Sequence, residues 1–292
     1  MINIGLITAK QAKLRPNAWA VYDQTSNKRI TFSELDDLVK KIANGLLGLG
    51  LEKGDRVSIL SQNTIEFLAL FFACGRVGLV AHALNWRLGS DELAQIIENG
   101  QPKVIITQGQ FSKTTHDLHK KINFIDHWLE YGTDSNSSFE TLIDKASSNE
   151  PIIHSSIGDE DPFFILYTGG TTGISKGALH THKSAYFGML NQTVAERIVP
   201  SDVYMLTGQM FHIPVLLAMN YTSHGCPIVL MNFDAELALN LIQEERVSGF
   251  LGITTMLNWM LAVEGFDNYD LSSLRCVQYG GGPMPTRVIE EV

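Results

Sequence analysis

This sequence predicts an α/β protein of doubly wound, mostly parallel sheets with flanking helices. Short apolar runs alternate with stretches of helical periodicity through residue 110 and again from 163 onward, the order that builds parallel sheets. With 45% apolar and 18% charged residues over 292 positions, there is core material for one large domain or two medium ones. No repeat of fixed short period and no low-complexity tract interrupts the pattern.

The elements follow in order. Thr31-Phe-Ser-Glu34 is a capping box, and Leu35, Leu38, Val39, Ile42, Leu46 and Leu47 carry one apolar helix face until Gly48 and Gly50. Arg56 to Leu60 reads as a strand, Thr64 to Cys74 as a helix and Gly78 to Leu84 as a strand. A helix over Asp91 to Asn99, capped by Ser90, and a strand over Val104 to Thr107 complete a first α/β part, residues 1–110. Residues 111–160 form a polar connector expected to hold a helix or two. A second part, 161–292, has strands at Phe163 to Thr168, Ala178 to His182, Val203 to Thr207, Pro227 to Met231, Phe250 to Ile253 and Arg275 to Tyr279. A last helix opens at Pro285 and the sequence stops at Val292 without a cap, so a fragment of a longer protein is expected.

Charge and cysteine content narrow the function. A net charge of −9 lacks the basic stripe that nucleic-acid binding demands. Cys74, Cys226 and Cys276 are odd in number and widely spaced, which argues against a disulfide framework or a thiolate zinc site and fits a reducing cytoplasm. The N-terminus shows no basic region followed by an apolar one, so no leader is indicated. The most apolar window, Phe67 to Leu84, contains Arg76, which would cost about 2.5–3.5 kcal/mol at a bilayer centre; a buried helix followed by a buried strand is expected instead.

The chemistry sits in Tyr167-Thr-Gly-Gly-Thr-Thr-Gly-Ile-Ser-Lys-Gly177, directly after an apolar strand. Such a loop offers backbone N–H groups, hydroxyl donors and one mobile cation, the set a polyphosphate needs. Ser175 before Lys176 and Gly177 after it rule out a Walker A loop.

The segment closely resembles the signature loop of the adenylate-forming enzymes, the superfamily of acyl-CoA synthetases, luciferases and peptide-synthetase adenylation domains. Their pattern is Tyr-Thr-Ser-Gly-Thr-Thr-Gly-x-Pro-Lys-Gly, and eight of its ten specified letters match. Further similarity lies in Leu60 to Phe67, in Leu84-Asn-Trp-Arg-Leu-Gly-Ser-Asp-Glu-Leu93, in Phe211-His212 and in Gly280-Gly-Gly-Pro-Met-Pro285, all in the family's order. The resemblance implies the large N-terminal domain of an acyl-CoA synthetase that joins a carboxylic acid, fatty or aromatic, to ATP and passes the acyl group to coenzyme A. It implies that Thr168, Thr171, Thr172 and Lys176, with Gly169, Gly170, Gly173 and Ser175 in the same loop, hold the phosphates with Mg²⁺. It also implies that Gly281, Gly282 and Pro283 lie beside adenine and that His212 borders the acyl pocket, with Lys176, Thr171 and His212 closest to the chemistry.

Two positions depart from the pattern. Gly169 in place of serine removes a hydroxyl donor worth about 0.5–1.5 kcal/mol and adds backbone freedom of about 0.5–1 kcal/mol. Ser175 in place of proline loosens the loop further. The family's Mg²⁺-assisting Glu, ribose-binding Asp and C-terminal lysine would all fall beyond Val292, so this chain alone is not expected to complete the reaction. An adenylation domain serving a carrier protein and a non-catalytic nucleotide-binding remnant are the rival readings, and a homo-oligomer stays open.

Other residues take plain readings. His180 and His182 sit two apart on an expected strand without a third ligand, a poor metal site. His116, His119 and His127 read as surface residues of the connector, Met205, Met210, Met219, Met231, Met256 and Met260 as core filling, and Trp86 as a buried anchor. Glu244-Glu-Arg246 reads as a solvated helix end.

Overall fold

A computed structural model of the protein describes residues 2–132, 137–168 and 175–291. In chain order the elements are α1 (Ile7–Leu14), β1 (Trp19–Asp23), β2 (Lys28–Thr31), α2 (Phe32–Gly48), β3 (Arg56–Leu60), α3 (Ile65–Val77), β4 (Val80–Leu84), α4 (Ser90–Gly100) and β5 (Val104–Gln108). Then come α5 (Ser112–His119), β6 (His127–Tyr131), α6 (Ser138–Lys145), β7 (Pro162–Thr168), β8 (Lys176–Thr181) and α7 (His182–Glu196). The chain continues with β9 (Tyr204–Leu206), α8 (Pro214–Ser223), β10 (Ile228–Leu230), α9 (Ala235–Glu245), β11 (Gly249–Leu251), α10 (Thr254–Leu261), β12 (Cys276–Gln278) and α11 (Thr286–Glu291).

The strands form two sheets, ordered β6-β5-β3-β4-β7-β8 and β12-β11-β9-β10-β1-β2. Neighbours within each are parallel except at one edge, where β8 runs antiparallel to β7 and β2 antiparallel to β1. The fold is therefore the expected α/β arrangement of mostly parallel sheets. The sheets do not follow the halves of the chain: β1 leaves the N-terminal part to pair with β10, in the register Val21↔Ile228, and β2 follows as the edge strand beside β1. The connector holds α5 and α6, and also β6, which extends the first sheet beside β5.

Local signals act as physical chemistry requires. Thr31 Oγ1 accepts the Glu34 amide at 3.2 Å, and Glu34 Oε2 accepts the Thr31 amide at 2.7 Å, so the capping box closes both ways at the start of α2. The cap of α4 differs from the reading: Gly89 is the N-cap and Ser90 the first helical residue, because Glu92 reaches back to the Gly89 amide at 3.2 Å. His182 also departs from it. Thr181 caps α7 with its side chain on the Ser184 amide, so His182 starts a helix, and it shares no strand face with His180.

Helix α3 is apolar on every side and accordingly buried on every side, packed against α2, β4 and β7. Phe67, Phe71 and Phe72 are fully enclosed, each worth about 1.5–3 kcal/mol of burial. Arg76 enters this core with its charge answered: its guanidinium meets Asp36 Oδ1 at 2.5 Å and Glu150 Oε2 at 2.5 Å. Among the described residues no helix is long and apolar enough to cross a membrane. Trp86 is half-buried rather than enclosed, and Met205, Met210, Met219, Met231 and Met260 are core residues.

Candidate functional site

In parallel sheets, ligands collect at the carboxyl ends of the strands, where loops are free to carry function. The glycine-rich segment leaves the carboxyl end of β7. Thr168 is the last residue of that strand and pairs across with Lys176, the first of β8, so the two ends of the glycine-rich segment are held side by side in an antiparallel strand pair. Thr168 and Lys176 are exposed, Ser175 is half-exposed, and Gly169, Gly170, Thr171, Thr172 and Gly173 lie outside the described residues.

The hairpin base is rigid for identifiable reasons. Tyr167 is buried, its hydroxyl donates to Asn99 Oδ1 at 2.5 Å and its ring lies 5.3 Å from the His82 ring. Gly177 stands opposite Tyr167, where a Cβ would come within 2.9 Å of the ring. Glycine after the lysine is thus a packing requirement of the strand pair.

Strand β4 runs beside β7, and its carboxyl end feeds Asn85, Trp86 and Arg87. The Trp86 ring stacks on Phe111 at 5.9 Å and meets Phe211 edge-on at 6.2 Å, and its indole N–H donates to Gln209 Oε1 at 3.0 Å. The Arg87 guanidinium lies over Trp86 at 5.1 Å and over Phe211 at 5.9 Å. Phe211 and His212 belong to the turn after β9, at the carboxyl edge of the second sheet, with His212 exposed and its ring 4.6 Å from that of Phe211. Partial burial, and secondarily the charge of Arg87, hold the His212 imidazole below its ordinary pKa, which favours the neutral ring. A neutral imidazole can accept a hydrogen bond from a ligand.

The segment Gly280 to Pro283 leaves the carboxyl end of β12, on the same edge of the second sheet. Gly281 has φ +80°, a conformation that favours glycine, and nothing lies within 4 Å of where a Cβ would stand on Gly280, Gly281 or Gly282. The Pro283 carbonyl accepts the Thr254 hydroxyl at 2.8 Å. The bare backbone leaves a face open to a flat ring. Behind it, a cavity of about 360 Å³ is lined by Leu257, Val277, Tyr279, Met284 and Val288.

One residue ties the edges of the two sheets together. Asn63, just past β3, donates from Nδ2 to the carbonyls of Gly208 at 2.9 Å and Met231 at 3.0 Å, and its Oδ1 accepts the Met210 amide at 2.9 Å. These carbonyls follow β9 and β10. Asn63 and Arg87 lie in two of the segments that carry the family resemblance, yet sequence assigns no role to them or to Phe111 and Gln209.

Among the described residues no group of three or more His, Cys, Asp or Glu side chains could hold a metal ion. His180 instead stacks on Phe164 at 4.5 Å, and His182 Nδ1 accepts the Ile4 amide at 3.2 Å.

A family profile described as AMP-binding enzyme matches residues 8–292, nearly the whole chain. The chain belongs to the AMP-binding enzyme family. Long-chain-fatty-acid–CoA ligase FadD13 of Mycobacterium tuberculosis is 30% identical to this chain over 295 residues, covering 99% of it and 57% of the relative. Feruloyl-CoA synthase of an Amycolatopsis species is 29% identical over 285 residues, covering 97% and 55%. The inhibitor-bound N-terminal domain of FACL13 from M. tuberculosis superposes with a TM-score of 0.93 at 29% identity, covering all of this chain and 73% of that one. The chain therefore spans little more than half the length of the curated relatives it matches.

Proposed function

We propose that this AMP-binding chain supplies the ATP- and acid-binding part of an acid–thiol ligase, which activates a fatty or aromatic carboxylic acid and transfers the acyl group to coenzyme A. The reading rests on one observation: in a chain of this family, the Thr168–Lys176 hairpin leaves the carboxyl end of a parallel strand with its lysine exposed. Matched relatives are named for fatty, ferulic and indoleacetic acids and for CoA as acceptor, which favours CoA over a carrier protein.

In the first step a carboxylate oxygen attacks the α-phosphorus of ATP and the bond to pyrophosphate breaks. In the second, a thiolate attacks the acyl carbon and AMP leaves. Carboxylate and triphosphate repel each other, so positive charge and oriented donors are the main lever. Lys176 would place its ammonium on a phosphate oxygen. Thr168, Thr171, Thr172, Ser175 and the loop amides of Gly169, Gly170 and Gly173 would hold the others. Mg²⁺ would enter as the MgATP complex and offset the phosphate charge. The bare backbone of Gly281 and Gly282, next to Pro283, would lie against adenine, while Phe211 and the neutral His212 would border the acid. Cys74, Cys226 and Cys276 are free thiols, in keeping with a reducing compartment.

Pyrophosphate–ATP exchange across fatty, aromatic and amino acids tests the first step, measured on a version of the protein extended to carry the family's C-terminal lysine, with hydroxamate trapping of the acyl-adenylate alongside. Exchange stimulated by fatty or aromatic acids supports the reading. Stimulation by amino acids alone would move it to an adenylation domain, and MgATP binding without exchange for any acid would leave nucleotide binding only.

A further inference from the structure

We propose that Asn63 is a positioning residue: it sets the aromatic face of Trp86, Phe211 and His212 by fastening the turn after β9 to the first sheet. The inference rests on the acid-binding reading of that face given above. Asn63 is 1% exposed, and both Nδ2 protons and its Oδ1 are engaged by backbone groups 145 to 168 residues away. A primary amide is the one compact neutral side chain that donates twice and accepts from the same planar head. Aspartate keeps the acceptor and loses both donors, and serine cannot reach all three partners.

The bonds fall on Gly208, Met210 and Met231, so the backbone on both sides of Gln209 is held directly. Gln209 in turn accepts the Trp86 indole N–H, and Phe211 stands one residue beyond Met210. Trp86 comes from the first sheet and Phe211 from the second. Their edge-on contact thus spans the seam that Asn63 closes. Misplacing a binding group by about 1 Å can cost on the order of 100-fold, which is why a remote clamp matters to a ligand it does not touch.

Asn220 is the matched control. It is equally buried, and its Nδ2 donates to the Met189 carbonyl at 2.8 Å and to Gln192, joining α7 to α8 away from Trp86. The experiment uses the 292-residue chain labelled with ¹⁵N-tryptophan, with the Trp86 indole cross-peak assigned from Trp86→Phe. The probe is dodecanoate, titrated against that peak. Asn63→Ala should move the Trp86 peak toward that of an exposed indole, speed its hydrogen exchange and weaken dodecanoate at least about tenfold. Asn63→Asp, isosteric and able to keep the Met210 contact, should do the same and serves if the alanine variant does not fold. Asn220→Ala should lower the melting temperature and leave the Trp86 peak in place.

A lowered melting temperature with an unmoved Trp86 peak in the Asn63 variants would reduce Asn63 to a fold residue and overturn the proposal. A moved peak with unchanged dodecanoate affinity would remove its role for the acid. If dodecanoate leaves the wild-type peak untouched, the acid-binding reading of the face fails, while the peak position still decides whether Asn63 sets its geometry.

Discussion

Replacing Lys176 with alanine removes one positive charge from the hairpin proposed to hold phosphate and very little else. Lys176 is exposed, and it has no carboxylate partner among the described residues, so the substitution breaks no ion pair of the protein. The hairpin keeps its β7–β8 pairing and the Tyr167–Asn99 bond, so the change in stability should stay within about 0.5 kcal/mol. A charge-assisted contact to phosphate is worth about 1.5–3 kcal/mol, which at about 1.4 kcal/mol per decade corresponds to a roughly 10- to 100-fold weaker Kd for MgATP. The loss should shrink in high salt, because an exposed ammonium is screened. Lys183→Ala is the internal control: its ammonium pairs with Glu160 at 2.6 Å, but the two side chains are 50% and 72% exposed, so that pair contributes little. The assay is titration calorimetry of MgATP into the 292-residue chain, with circular dichroism to show both variants folded. Equal Kd values for the two variants would refute the reasoning, and so would a wild-type chain that does not bind MgATP.

Two further outcomes follow from the buried ionisable groups. Arg76→Met should lower stability by about 3 kcal/mol, because among the described residues Asp36 then keeps only the Thr8 hydroxyl at 2.8 Å and Lys40 at 3.3 Å as side-chain partners. For a chain of this size that is roughly 5 °C in Tm by differential scanning calorimetry, part of it regained in Arg76→Met/Asp36→Asn; a drop under about 2 °C would contradict it. Burial, the largest effect, holds the His182 pKa at about 4, although Asp161 and Asp159 pull the other way. The unfolded chain takes up this proton below about pH 6.5 and the native state resists until about pH 4, so stability is full above pH 6.5 and drains away below it, by up to about 3 kcal/mol. His182→Gln should flatten that acid slope in urea titrations across pH 4–7; an unchanged slope would show that His182 is not its source.

Much of the architecture was legible because it is local. Periodicity and caps place α2, β3 and β5 nearly to the residue and α3 to within three residues at its C-terminal end, since the Thr31 capping box and the apolar surface of α3 act within one element. The loop from Tyr167 to Gly177 was legible for a related reason: glycine, hydroxyl and lysine packed so densely have few structural uses, and their order among the other segments carried the family. What sequence could not show is non-local. Strand β1 is short, and its partner β10 lies some 200 residues on, so alternation along it names no neighbour. Strand β6 is half-buried along most of its length at a sheet edge, which dilutes its apolar signal. His182 looked like a strand residue until Thr181 proved to cap a helix. Asn63 is the extreme case, a polar letter in a turn whose three partners are backbone groups at 208, 210 and 231. Backbone carbonyls are identical in every sequence, so a side chain that bonds to them leaves no matching letter at the other end, and folding alone brings the two together.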